Sequence, residues 1–238
     1  MDTKTTHVMP WRIEDIDLNR IDRQRAAANE DLLLLLCASS FIESGSDLYT
    51  SNLSTFFNDD PEVSAWLNNA WEHEELQHGR ALKAYIAHVW PEFDWDTAFA
   101  NFFAEYSKTC SVEAFEKTRA LEMVARCVVE TGTATLYRAI NECSDEPVLK
   151  EITDNIRTDE VRHYKHFFKF FKKYNQVEGN GRLAVLGPHT QALSEPYGYW
   201  LFQHDPAPRR EVADVRDWML AEAAECDAAM RTHGTAST

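Results

Sequence analysis

Two short strings constrain this chain more than anything else in it. They are Glu75-x-x-His78 and Glu160-x-x-His163, and each follows an isolated glutamate, Glu43 by 32 residues and Glu130 by 30. A spacing of three places a carboxylate and an imidazole on one face of a helix. With 22 Glu and 9 His among 238 residues, about one such pair is expected by chance, so a single copy reads as a surface ion pair. Two copies, each in a long helical stretch with a lone Glu one helix earlier, require four helices that bring their acids together. Four carboxylates and two histidines are the ligand inventory of a carboxylate-bridged dinuclear metal centre in a helical bundle. Buried carboxylates are too costly to keep without such partners.

The helix signals fit that requirement. With only 8 Gly and 8 Pro, the sequence predicts an all-α fold. A first helix is expected over 22–57, almost wholly apolar at Leu32 to Leu36. A second is expected over 61–89, capped by Asp59 or Asp60 with Pro61 at its first position and stopped at Trp90-Pro91. An aromatic segment at 94–108 is expected to cross the outside as a long link between helix pairs. A third helix opens at Ser111, Glu113 and Ala114 and stops at 141–145. The fourth opens at Glu146-Pro147 and ends near Asn175 and the glycines at 179–181. The whole reads as one domain over 1–238, a four-helix bundle with a long crossover and an extra C-terminal helix. Its core is expected at 22–175 and an extension at 182–238. Within the extension a helix at 209–233, with an apolar stripe of Val212, Val215, Trp218, Met219 and Ala223, is expected to act as a lid or oligomer contact. The last residues, 234–238, are expected to be disordered.

Stepping by three, four and seven from the candidate ligands reaches an interior. Glu130 shares its face with Met123, Cys127, Thr133 and Tyr137, and Glu160 shares its face with Ile152, Ile156, His163, Phe167 and Phe170. Oxygen-rich sites with one imidazole each suit iron(II) or manganese(II), whereas zinc prefers a tetrahedral nitrogen and sulfur set. The acids just before the two motifs, Glu74 and Asp159, are candidates to orient the ligating imidazoles, because such a ring gives its other N–H to a carboxylate. A solvated surface position is an equal alternative for Glu74.

A net charge of −15 argues against nucleic acid and against an anionic membrane as partners, since neither meets a dominant basic face. The longest unbroken apolar run, Leu32 to Ala38, is shorter than the roughly 20 residues of a bilayer span, and no signal pattern opens the chain. Five cysteines without C-x-x-C spacing indicate neither a disulfide framework nor a zinc module, and a cytoplasmic location is expected.

The strings Glu74-Glu75-Leu76-Gln77-His78-Gly79 and Asp159-Glu160-Val161-Arg162-His163 resemble the E-E-x-x-H-G and D-E-x-R-H segments of soluble acyl-ACP desaturases. More broadly they resemble the ferritin-like di-iron carboxylate superfamily, over residues 22–175. The resemblance implies that Glu43, Glu75, His78, Glu130, Glu160 and His163 bind two iron ions, with manganese as the alternative metal. It implies that each preceding acid orients the opposite histidine, Asp159 with His78 and Glu74 with His163. It also gives Thr133, one turn after the third-helix Glu, a catalytic part in oxygen activation.

The resemblance further implies a di-iron oxidase or oxygenase that activates dioxygen to desaturate, hydroxylate or deformylate an apolar or acyl substrate. Electrons would come from a separate reductase or ferredoxin, and a homodimer is expected. Ile156 stands where the related arylamine N-oxygenases carry a seventh ligand, and the missing C-x-x-C module argues against rubrerythrin. Lysines 165, 169, 172 and 173 are the one candidate docking cluster for an acidic carrier. The alternative is a ferritin- or rubrerythrin-like ferroxidase or peroxide scavenger, and the blandest reading is a bundle in which the six residues form buried salt bridges.

Overall fold

The computed structural model describes residues 8–182, 184 and 185. The chain separates into two units, Met1–His189 and Thr190–Thr238, and every described residue belongs to the first. The expected helix at 209–233 and disordered tail at 234–238 lie outside the described residues. Among the described residues the fold is all-helical, without a strand. Two 3-10 turns, Ile13–Asp15 and Leu18–Arg20, lead into α1 (Arg23–Ala27), α2 (Glu30–Ser44), α3 (Ser46–Phe56) and α4 (Pro61–Trp66). A π-helical turn, Leu67–Trp71, joins α4 to α5 (Glu72–Val89). Then come α6 (Trp95–Tyr106), a 3-10 turn at Val112–Ala114, α7 (Arg119–Cys143) and α8 (Pro147–Glu178).

Side-chain caps set most of these starts by accepting otherwise orphaned backbone N–H groups. Asp60 accepts from Val63 N with Pro61 following it, and Glu146 accepts from Val148 N and Leu149 N with Pro147 following it. The 32-residue α8, about 48 Å long, stops at Gly179, which takes the left-handed φ of 65° that favours glycine.

The single helix expected at 22–57 is three. Asn29 caps a fresh start, and the helix breaks again at Gly45. A Cβ at Gly45 would lie 3.3 Å from Tyr106 and 3.4 Å from Phe103, so the aromatic face of α6 closes onto bare backbone there. Glu43 therefore stands near the end of α2 rather than mid-helix. The third long helix also starts later than expected, with Thr118 and not Ser111 as its cap. Residues 111–118 are held instead by tertiary contacts. Phe115 packs against Tyr49 and Phe56 with centroids 5.5 Å away, and Glu122 accepts the Glu116 N–H.

The helices pair as α2 with α5 and α7 with α8, and α5 meets α8. The α2/α5 pair runs antiparallel, since Arg23 reaches the Val89 carbonyl while Ser44 faces Gly79. The α6 segment packs on α2, with Phe41 against Trp95, Phe99 and Phe102 and the Trp95 indole donating to Ser40 Oγ. Two apolar cores result. One gathers Leu36, Phe41, Leu82, Ile86, Ile152 and Ile156, and the other gathers Leu53, Phe57, Leu67, Met123, Phe167 and Phe170. The candidate ligands lie between them. On α8 they sit between Ile156 and Phe167, so the interior reads as apolar, polar, apolar along that helix.

Asp31–Phe56 has the length and hydropathy of a membrane span, yet it is the stretch that carries Glu43 into the core and breaks at Gly45. The α2/α5 approach is close beside the candidate ligands. A Cβ on Gly79 would fall 2.4 Å from Ser44 Oγ and 2.8 Å from Ser44 N, next to His78 and Glu43. Gly79→Ala is expected to push these helices apart and to cost about 1–3 kcal/mol by overpacking. A denaturant melt measures the loss, and an unchanged midpoint would refute the tight approach.

Candidate metal centre

Four helices deliver the six expected ligands to one place. Glu43 comes from α2, Glu75 and His78 from α5, Glu130 from α7, and Glu160 and His163 from α8, and all are buried. They form two overlapping groups that can each hold a metal ion. One is Glu43, Glu75, His78 and Glu160; the other is Glu75, Glu130, Glu160 and His163; within each group one candidate ligand atom per residue lies within 4.8 Å of all the rest. Glu75 and Glu160 belong to both. The geometry crosses between helix pairs. His78 Nδ1 is 3.2 Å from Glu160 Oε1 and 3.7 Å from Glu43 Oε2, while His163 Nδ1 is 2.9 Å from Glu75 Oε1 and 3.4 Å from Glu130 Oε2.

The acids before the motifs hold the outer edges of the rings. His78 Nε2 lies 3.0 Å from Asp159 Oδ2, and His163 Nε2 lies 2.7 Å from Glu74 Oε2. This is the crosswise pairing that the family resemblance implies, and Glu74, 4% exposed, is no surface acid. Carboxylates only accept, so each Nε2 carries a proton toward its acid, and Nδ1 is the ring nitrogen that faces the cluster and can offer a lone pair to a cation once its own proton is displaced. Asp159 also accepts from the Trp11 indole at 2.7 Å and from Arg162 at 2.7 Å, and the same Arg162 nitrogen donates to Glu74 at 2.8 Å. One guanidinium thus ties together the two groups that fix the two imidazoles.

A test of fit comes from buried polar atoms without hydrogen-bond partners. Among the described residues there are eight, and five are Glu75 Oε1, His78 Nδ1, Glu130 Oε2, Glu160 Oε1 and His163 Nδ1. A buried polar atom left unmatched is costly. Five such atoms converging on one spot are what a cation can bind once it displaces the protons held there.

Electrostatics show the same strain. Burial, then the Glu160 and Glu43 charges, push Glu75 well above the usual carboxylate range. Burial and Glu160 likewise push Glu130 up to about 8. Glu160 goes the other way, because contacts with His163 and His78 outweigh its burial and hold it low. Burial alone would depress the imidazoles, but Asp159, Glu160 and Glu43 outweigh it at His78, and Glu130, Glu160, Glu74 and Glu75 do so at His163, so both stand well above their usual value. Without cations, protons fill the role of counter-charge.

Sequence reasoning misses several other residues around the cluster. The Trp71 indole donates to Glu130 Oε1 at 3.3 Å, from a position four residues before Glu75 that helical stepping reaches. The π-helical turn ends at Trp71, and such turns shift the register of everything after them. Tyr137, seven residues after Glu130, donates its phenol hydrogen bond to Glu43 Oε1. Arg162 lies inside the second motif. Trp11 stacks over His78 with centroids 6.2 Å apart, and Gln77 holds its carbonyl; nothing local in the sequence signals that contact. Thr133, expected at the site, donates within reach of Glu160 Oε2 at 3.0 Å. Ile156 is fully buried in the apolar core. Of the four surface lysines, Lys169 and Lys173 pair with Glu62, Lys173 also with Asp60, and Lys172 sits over the Phe168 ring.

No family model matches the chain, and no curated protein or solved structure matches it.

The raised carboxyl pKa of Glu130 fixes a pH dependence. The folded, metal-free chain keeps a proton there up to about pH 8, whereas the unfolded chain has lost it. That stabilisation is complete below the ordinary carboxylate value and is lost as pH rises through about 8. The raised imidazoles add to the same trend. The melting midpoint of metal-free protein is expected to fall from about pH 6 to about pH 8. Metal binding must displace those protons, so affinity should rise over the same interval with measurable proton release in weak buffer. Binding without proton release would contradict the assignment.

Proposed function

We propose that the chain is a non-haem di-iron oxidase or oxygenase, a desaturase-like member of the ferritin-like proteins in which the four ligand-bearing helices make up the bundle. The observation that carries this reading is the pair of overlapping three-carboxylate, one-imidazole groups sharing Glu75 and Glu160. Oxygen-rich donors with one imidazole per metal suit iron(II), with manganese(II) as the alternative, and leave room for an exogenous ligand. When bound, such a metal pair supplies the redox chemistry that reduces dioxygen.

The remaining work falls to the chain. Asp159 and Glu74 keep each imidazole protonated at Nε2, so that Nδ1 is the ligating atom. Tyr137 and Trp71 fix the carboxylates of Glu43 and Glu130 in place. The Thr133 hydroxyl, within reach of the Glu130 carbonyl and Glu160 Oε2, is placed to rotate its O–H inward and to pass a proton on as it takes one up from a solvent-derived donor. The two apolar cores exclude bulk water and favour an apolar or acyl substrate. Electrons come from a separate donor, a reductase or ferredoxin, and the buried free thiols Cys37 and Cys127 suit a reducing cytoplasm. A homodimer is the expected assembly.

Anaerobic loading with iron(II) should give two ions per chain, one for each group, and exposure to dioxygen should give iron-dependent oxygen uptake at an electrode. Thr133→Val should keep both ions and slow single-turnover uptake about a hundredfold, the usual scale for losing a proton relay. Glu75→Ala should lose metal. A doubly loaded chain that consumes no oxygen would overturn the reading. A large assembly retaining many irons per chain would favour the ferroxidase alternative.

A further inference from the structure

We infer that the substrate of this centre is a free carboxylic acid whose carboxylate is held by Arg126, an inference that rests on the oxygenase reading above. Glu122, Arg126, Glu130, Thr133 and Tyr137 follow one another on α7 at steps of four, four, three and four, so they share one face of the helix. Three of them meet the cluster. Glu130 is a candidate ligand, Thr133 reaches Glu160, and Tyr137 reaches Glu43. Arg126 extends that face by one turn, about 6 Å along the helix axis from Glu130, whose charge it feels.

The guanidinium is nearly enclosed and poorly satisfied. Only 15% of the Arg126 side chain is accessible. Among the described residues, three of the eight unpartnered buried polar atoms lie outside the cluster, and Arg126 Nε is the one that belongs to a charged group. Glu122 Oε1 stands 2.9 Å from that nitrogen without the alignment of a hydrogen bond, and Glu122 Oε2 is taken by the Glu116 N–H. No described group accepts a hydrogen bond from either Nη. Arg126 Cζ lies over the Tyr49 ring, 4.6 Å from its centroid, which holds the guanidinium in place and leaves the Nη fork to pair with a planar anion. Two N–H groups in one plane are the geometry that grips a carboxylate by both oxygens. Two dications would cancel the four ligand carboxylates, so in the loaded centre Glu130 no longer competes with an incoming anion for Arg126. One turn between anchor and ligand places the oxidised carbon within a few bonds of the acid group. A hydrocarbon, or an acyl chain on a carrier thioester, has no carboxylate to offer there.

Butyrate, octanoate and benzoate, each compared with its neutral amide, test the anchor on cobalt(II)-loaded protein. Calorimetry reads affinity, and paramagnetic relaxation of the probe's protons reads nearness to the metal. At least one acid should bind about tenfold or more tighter than its amide, the scale of a hydrogen bond to a charged group, with its protons relaxed by cobalt. Arg126→Gln should abolish that preference at parent cobalt occupancy, whereas a carboxylate bound to the metal itself would keep it. Glu122→Gln keeps the cation and removes its competing carboxylate, so it should tighten acid binding, a gain that a purely structural ion pair would not give. Should Arg126→Gln fail to fold, the ratio of acid to amide affinity in the parent and the gain in Glu122→Gln decide the outcome. Acids that bind no better than their amides, a preference that survives Arg126→Gln, or no gain in Glu122→Gln would overturn the anchor and leave the metal centre standing. A parent chain that takes up no cobalt would remove the metal-centre reading and the anchor with it.

Discussion

The burial of four carboxylates within one cluster is the condition that the rest of this structure answers. In a low-dielectric interior, like charges at such separations cannot all persist, and either protons or cations must join them. No lysine or arginine among the described residues enters the cluster. Arg162 stands behind it, on Asp159 and Glu74, where it stabilises the groups that steer the imidazoles. The inward charge is therefore left for an ion to balance. The helix contacts follow from that demand. Gly79 lets α2 come close enough for Glu43 and His78 to share a centre, and the two apolar cores on either side seal a layer that would otherwise fill with water.

The six candidate ligands were legible in the sequence because their grouping depends on helical periodicity, which a single strand of text displays, whereas the crosswise pairing of Asp159 and Glu74 came only from the family resemblance. The ends of α8 were legible for a similar reason, since Glu146-Pro147 and Gly179 act locally. The break at Gly45 was not, because it depends on Tyr106 and Phe103 arriving from another helix. The late start of α7 escaped too. Ser111 offers a sound cap, but Phe115 is drawn into an aromatic cluster with Tyr49 and Phe56, and tertiary packing overrides the local signal. Glu74 could not be placed by pattern alone, as burial of an acid next to a ligand depends on what faces it. Trp11 lies furthest from any legible signal, being brought to His78 by a segment without helical period.

The surface lysines at the end of α8 teach the same lesson in reverse. As text they form a basic cluster fit for an acidic partner. In the fold, Glu62 and Asp60 at the start of α4 occupy two of them, so part of that charge is spent inside the molecule.

The crossed geometry of the centre has a further consequence. The α2/α5 pair and the α7/α8 pair carry the same pattern, yet neither holds a complete set. His78 depends on Asp159 and Glu160 from the other pair, and His163 depends on Glu74 and Glu75. Two halves that have exchanged partners in this way cannot drift apart independently. A change of helix register in one copy misplaces ligands and orienting groups in both, so the pattern can survive only if its two copies are altered together.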